Sequence, residues 1–181
     1  MRVGIVSDIH SNLPALQAVL GDMGPVDQLW CLGDTVGYGP YANEVIQLLR
    51  RLDCHMIPGN HDWGATGKVP LDDFNVDARR ACQWTWTVLT EENRLFLDSL
   101  PLTRTFGDFT LAHGTPQEPI WEYMAYPSTA SLAFHYFSTR YCLVGHTHVP
   151  LVFFDRGERG PASLIPTPST VIELDETRAI V

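Results

Sequence analysis

The sequence predicts an α/β protein, α+β in its element order, with two β-sheets packed face to face and helices outside. Three observations carry this. Five separate stretches climb through apolar residues and stop on a metal-capable side chain: GIVSDIH (Asp8, His10), WCLGD (Asp34), MIPGNHD (Asn60, His61, Asp62), TLAHG (His113) and CLVGHTH (His146, His148). Short apolar runs bounded by Gly or polar residues read as strands of a buried parallel sheet. In the first half these runs alternate with helical periodicity, whereas from Pro150 onward the helical period disappears and short strands separated by turn residues follow, as in an antiparallel sheet. The strand ends then present their ligand residues along a shared edge, where α/β proteins place their chemistry.

The elements follow in order. Residues 2–7 form a first strand, then a helix signalled by Asn12 as cap, Pro14 in the first turn and apolar Leu13, Leu16, Val19, Leu20 and Met23 at helical spacing, closed by Gly24 and Pro25. Residues 27–32 are a second strand, 42–52 a helix, and 54–58 a third strand, giving a βαβαβ unit. After a GNHD loop, residues 76–89 read as a helix, and Thr90 with Glu91 and Glu92 opens another that ends near Leu100. A hairpin turning at Gly107-Asp108 leads into TLAHG. Residues 114–126 are a Pro-rich, aromatic loop, 128–137 a short helix and 141–144 the strand before GHTH. Residues 151–154, 162–165, 171–174 and 179–181 complete the chain as short strands.

At 181 residues and 45% hydrophobic content, one domain spanning 1–181 is expected, with enough chain to bury a substantial core. No apolar stretch reaches membrane-spanning length and Asp8 comes too early for a leader, so a cytoplasmic location without membrane contact is expected. A formal charge of −9, with Lys68 the lone lysine, disfavours nucleic acid and favours a small phosphorylated partner. Cys31, Cys54, Cys82 and Cys142 are dispersed without a CxxC pair, which predicts small buried hydrophobes.

Taken singly, each ligand motif is weak. As an ordered set, each at the end of an apolar run, they point to a metal site. Imidazole, carboxylate and an Asn carbonyl without thiolate suit Mn, Fe, Zn, Co or Ni. If two cations are to lie within about 3.5–4 Å of each other, one ligand must bridge them, and Asp34, alone in its loop, is the candidate.

The ordered set SDIH, LGD, GNHD, AHG and GHTH, spanning residues 8 to 148, closely resembles the calcineurin-like metallophosphoesterase superfamily, in its stand-alone prokaryotic phosphodiesterase or phosphatase form. The resemblance implies a four-layer α/β/β/α sandwich of two mixed β-sheets flanked by helices. It implies two divalent transition metal ions, manganese foremost, with iron, zinc, nickel or cobalt as alternatives. Asp8, His10, Asp34 and His148 would hold one, and Asp34, Asn60, His113 and His146 the other. His61 would face the substrate as a catalytic acid and Asp62 would orient it. The activity implied is hydrolysis of small phosphodiesters or phosphomonoesters, nucleotide-like in character, by direct attack of a hydroxide held between the metals. The chain has no GxSxG and no cysteine near the set that would supply a protein nucleophile.

His55 and His135 read as structural. Trp63 and the pair Trp121 and Tyr123 are placed to line a cleft, although aromatics are more often loop anchors. The phosphoprotein-phosphatase loops GDxxDRG and GNHE are here GDTVGYGP and GNHD, without the phosphate-clamping Arg. A phosphoprotein phosphatase, or a non-catalytic metal-binding scaffold of the same fold, is the alternative reading; the full ligand set and His61 weigh against the scaffold. The prokaryotic forms that this set resembles continue past GHTH through several strands, whereas residues 178–181 end within a β-like run, so one or more missing final strands are expected, with an exposed sheet edge open to a partner or a second copy.

Overall fold

The computed structural model describes residues Met1–Val181. The chain divides into two compact units, Met1–Pro101 and Leu102–Val181.

The first unit holds a three-stranded, wholly parallel sheet ordered β1 (Val3–Val6), β2 (Gln28–Cys31), β3 (His55–Met56). Its crossovers are α1 (Leu13–Met23) and α2 (Ala42–Arg51). Asn12 caps α1 as its spacing predicts, its side chain accepting from the Ala15 N–H at 3.1 Å. Gly24, at φ 66°, ends the helix where a side chain would be strained. In α2 the residues Ala42, Val45, Ile46 and Leu49 bury one stripe, joining Val6, Leu16, Leu29, Cys31 and Met56 in one apolar core. Glu44 in its first turn and Arg50 and Arg51 in its last complement the helix dipole.

Three further helices complete this unit: α3 (Asn60–Thr66), α4 (Val76–Val88) and α5 (Glu91–Ser99). Asn75 caps α4 and Thr90 caps α5. Expected as a loop, the GNHD segment instead opens α3. Gly59 lies in the extended conformation before the helix, and Asp62, in its first turn, accepts from the Gly59 N–H at 2.9 Å.

The second unit holds a six-stranded mixed sheet in the order β4 (Arg104–Phe106), β5 (Phe109–Leu111), β6 (Tyr141–Leu143), β9 (Ala179–Ile180), β7 (Val152–Phe154), β8 (Ala162–Leu164). The hairpin at Gly107-Asp108 joins β4 to β5 as expected. The β-like run expected at 179–181 forms β9, which lies inside the sheet, parallel to β6 and antiparallel to β7.

Two expected elements change. The helix expected over 128–137 is α6 (Pro127–Ala133), because His135 and Tyr136 bond back three residues to Leu132 and Ala133 and tighten the chain out of the helix. The run 171–174 pairs with no strand: Pro166 and Pro168 lack donors, Thr170 turns back on Thr167, and Val171 is left 88% exposed. Met124, Ala130, Ala133, Phe134, Cys142, Phe153 and Ile180 form this unit's core.

Candidate metal centre

In the first unit the parallel ladder runs past the strand ends into the loops. The N–H groups of Leu32, Asp8, His10 and Ser11 donate to the carbonyls of Val6, Gly33, Asp34 and Thr35 at 2.9–3.0 Å. Asp8, His10 and Asp34 therefore stand at the carboxyl edge of β1 and β2, held in register by backbone rather than by side chains. All three have left-handed backbones, at φ 52°, 48° and 50°. His146 and His148 in the second unit share that conformation, at 66° and 55°. For a residue with a Cβ this conformation costs about 1–2 kcal/mol, and strain of this kind collects at functional sites.

Asp34 is 1% exposed. Its Oδ1 accepts from the His61 N–H at 2.8 Å, while its Oδ2 lies 3.7 Å from His10 Nε2, too far for a hydrogen bond. The other ring nitrogen of His10, Nδ1, is 3.2 Å from the Val36 carbonyl. A carbonyl only accepts, so Nδ1 carries the proton, and in the neutral ring Nε2 turns a lone pair toward the carboxylate. Two acceptors facing each other across this gap suit a cation, and an imidazole anchored by a backbone carbonyl is how metal-ligating histidines are oriented. His10, Asp34 and His61 offer ligand atoms that all lie within 4.8 Å of one another.

Close approach makes two glycines obligatory here. A Cβ on Gly59 would sit 2.1 Å from Asp34 Oδ1, and one on Gly37 2.4 Å from His61 Nδ1. Asn60 and His61 occupy the first turn of α3 and are buried. Asp62 is fully buried, and its carboxylate accepts from the N–H groups of Gly59 and Val36. Burial, then the charge of Asp34, raises its carboxyl above the ordinary range, opposed by those N–H donors. Against the His61 ring lie Tyr38 (4.7 Å between centroids), Phe74 (5.3 Å) and, contrary to the expectation of no cysteine near the set, the buried Cys82 sulfur, 3.7 Å from Nδ1, which the fold brings in from α4.

In the second unit His113 follows β5 and His146 follows β6, and the parallel pairing of these strands brings the two rings together. His113 Nε2 lies 3.2 Å from His146 Nδ1. His146 Nε2 is 3.2 Å from the Trp121 carbonyl, so its proton sits on Nε2 and its Nδ1 lone pair points at His113. Tyr123 stacks on the His146 ring at 3.9 Å and 19°. Of the aromatic loop residues singled out by sequence, Tyr123 and Trp121 thus brace a ligand-type histidine, one by its ring and the other by its carbonyl. His148 is exposed on the turn beyond. The donor set, its left-handed backbones and the carbonyl-anchored imidazoles in both units fit divalent cations.

The segment 1–150 matches the calcineurin-like phosphoesterase family. A metallophosphoesterase from Sphaerobacter thermophilus has the same fold, with a TM-score of 0.89 and 45% identity, covering 99% of this chain and 74% of that one. The chain belongs to the calcineurin-like phosphoesterase family, and its mixed α/β architecture of two sheets flanked by helices is that family's fold. An uncharacterized protein of Methanocaldococcus jannaschii is 42% identical over 86% of this chain. A symmetrical bis(5'-nucleosyl)-tetraphosphatase of Baumannia cicadellinicola is 36% identical over 34% of it. The chain spans 65% of the archaeal relative's length and 23% of the tetraphosphatase's.

Proposed function

We propose that this chain is a binuclear-metal-dependent phosphoesterase that hydrolyses small phosphodiesters or phosphomonoesters of nucleotide-like character. In this reading residues 1–181 act as a single domain. Asp8, His10, Asp34 and His148 hold one divalent cation, and Asp34, Asn60, His113 and His146 hold a second, with manganese the first metal to test. Bound cations supply neutralisation of the phosphoryl oxygens and acidification of a water for attack near neutral pH. The chain's own residues supply the rest. His61, protonated, donates to the leaving oxygen. Asp62 acts on His61 through the backbone, by holding the first turn of α3 against the loop after β2.

The observation that carries this reading is the pair of imidazoles, His10 and His146, each anchored at one nitrogen by a backbone carbonyl with the other turned toward a further ligand-type residue. Partial similarity to the tetraphosphatases supports a nucleotide-like substrate. Four unbridged cysteines accord with a reducing compartment, and no helix is long and apolar enough to cross a membrane; the cytoplasm is the location proposed.

The test is hydrolysis of bis-p-nitrophenyl phosphate by chelator-stripped protein with and without Mn²⁺. Activity is expected to need the metal and to be lost in Asp34→Asn. Full activity in the stripped protein would overturn the proposal. A panel of cyclic nucleotides, dinucleoside polyphosphates, aryl phosphates and phosphopeptides then ranks the substrates.

A further inference from the structure

Tyr38 lies in the loop after β2, within Gly37-Tyr38-Gly39-Pro40, at the position where the phosphatase pattern GDxxDRG places its Arg. Its ring stands edge-on to His10, with centroids 4.9 Å apart, and tilted over His61 at 4.7 Å. Nearly half of the residue (49%) is exposed. Its backbone is left-handed at φ 51°, a conformation unfavourable for an aromatic residue and not offset by burial.

Both neighbours fix the loop against the ligand-type residues. The Gly39 N–H donates to the His10 carbonyl at 3.0 Å, and a Cβ at Gly39 would meet that carbonyl at 2.6 Å. A Cβ at Gly37, whose φ is 97°, would meet His61 Nδ1 at 2.4 Å. The fold therefore holds a solvent-facing aromatic ring over two histidines of the candidate centre, in a strained backbone that core packing does not require. Between residues 33 and 41 there is no Lys or Arg.

We propose that Tyr38 is a substrate-contact residue that makes the site select phosphodiesters bearing an aromatic or nucleoside group over phosphomonoesters. This rests on the phosphoesterase reading above and names its substrate class. A monoester carries close to two charges near neutral pH and is held best by the bidentate fork of an arginine. A diester carries one charge and a second ester group. An aromatic ring in place of the guanidinium gives up the charge contact and offers a face on which the second group stacks.

The test compares kcat/KM for bis-p-nitrophenyl phosphate and p-nitrophenyl phosphate, with Mn²⁺, in the wild type and in Tyr38→Phe, Tyr38→Ala and Tyr38→Arg. Mn²⁺ affinity is measured in parallel by electron paramagnetic resonance. The diester-to-monoester ratio is expected to hold in Tyr38→Phe, to fall about tenfold in Tyr38→Ala through KM for the diester, and to move further toward the monoester in Tyr38→Arg, with Mn²⁺ affinity within a factor of about two throughout. An unchanged ratio in both Tyr38→Ala and Tyr38→Arg overturns this proposal alone. Loss of Mn²⁺ affinity in Tyr38→Phe and Tyr38→Ala also overturns it, by assigning the ring a structural role at the metal. A wild type that hydrolyses neither ester overturns the phosphoesterase reading together with it.

Discussion

The Asp62 carboxylate accepts the Val36 N–H at 3.0 Å, and the Val36 carbonyl in turn receives His10 Nδ1 at 3.2 Å. One buried acid thereby fixes two histidines at once, His61 through the start of α3 and His10 through residue 36. Asp62→Ala is expected to lower Mn²⁺ affinity about 10–100-fold, the usual loss when a partner behind a metal ligand is removed. Isothermal titration calorimetry reads this directly, and an affinity equal to wild type would refute the relay.

Asp34→Asn is expected to separate stability from metal binding. The buried Asp34 charge disfavours ionisation of Asp62, so removing it relieves repulsion in the metal-free protein while taking away a proposed ligand. The stripped variant should melt no lower than the stripped wild type, yet show no rise in Tm with Mn²⁺. A Mn²⁺-dependent rise equal to that of wild type would count against Asp34 as a ligand.

Metal removal itself should be visible without substrate. A cation that binds only the folded chain adds about 2.7 kcal/mol at one hundred times its Kd, which for a chain of this size moves Tm by roughly 5–10 °C. Differential scanning fluorimetry with and without chelator measures it; coincident melting curves would argue that no such site exists.

Gly59→Ala tests the close approach of α3 to the loop after β2. The added Cβ meets both Asp34 Oδ1 at 2.1 Å and the Asp34 nitrogen at 2.4 Å, and the latter is backbone. A cost of about 3 kcal/mol is expected in urea denaturation, together with loss of Mn²⁺ binding. Wild-type behaviour on both counts would mean that the loops do not touch as described.

Burial pushes the Cys142 thiol up to about 12, against about 8.5 for a free thiol. Between those values the folded chain keeps a proton that the unfolded chain has lost, so ν_U − ν_N is negative and stability falls as pH rises. This contribution is complete below about pH 8.5 and decays above it, by at most about 1.4 kcal/mol per pH unit. Cys142→Ala should flatten the decline in urea midpoint between pH 8 and 10.5, and parallel profiles for the two proteins would contradict it.

Much of this was legible because strand ends and helix caps leave side-chain signatures. Asp8, His10, Asp34, His113 and His146 follow apolar runs that are strands or their immediate extensions, and Asn12 and Thr90 cap the helices that their spacing announces. What escaped has no side-chain signature. The anchors for His10 and His146 are the carbonyls of Val36 and Trp121, a group every residue carries. The helix α3 begins behind a glycine, which offers no capping oxygen, and its cap comes back from Asp62. Residues 171–174 have strand-like composition but no ladder to join, a matter decided by neighbours far away in sequence. Tyr38 could be read only as a departure from a known loop, because the strain in its backbone has no counterpart in residue type.

The position of β9 between β6 and β7 sets a timetable for synthesis. While the ribosome is still adding residues before Ala179, the β4–β5–β6 segment and the β7–β8 hairpin have been made but share no hydrogen bond, because the strand that joins them has not emerged. Pairing over such sequence separations is slow and leaves strand edges open to other chains in the interval. The His113–His146 pair stands at the end of β5 and β6, beside that late joint, so the sheet that carries these two proposed ligands is closed on its far side only after Ala179 and Ile180 have emerged.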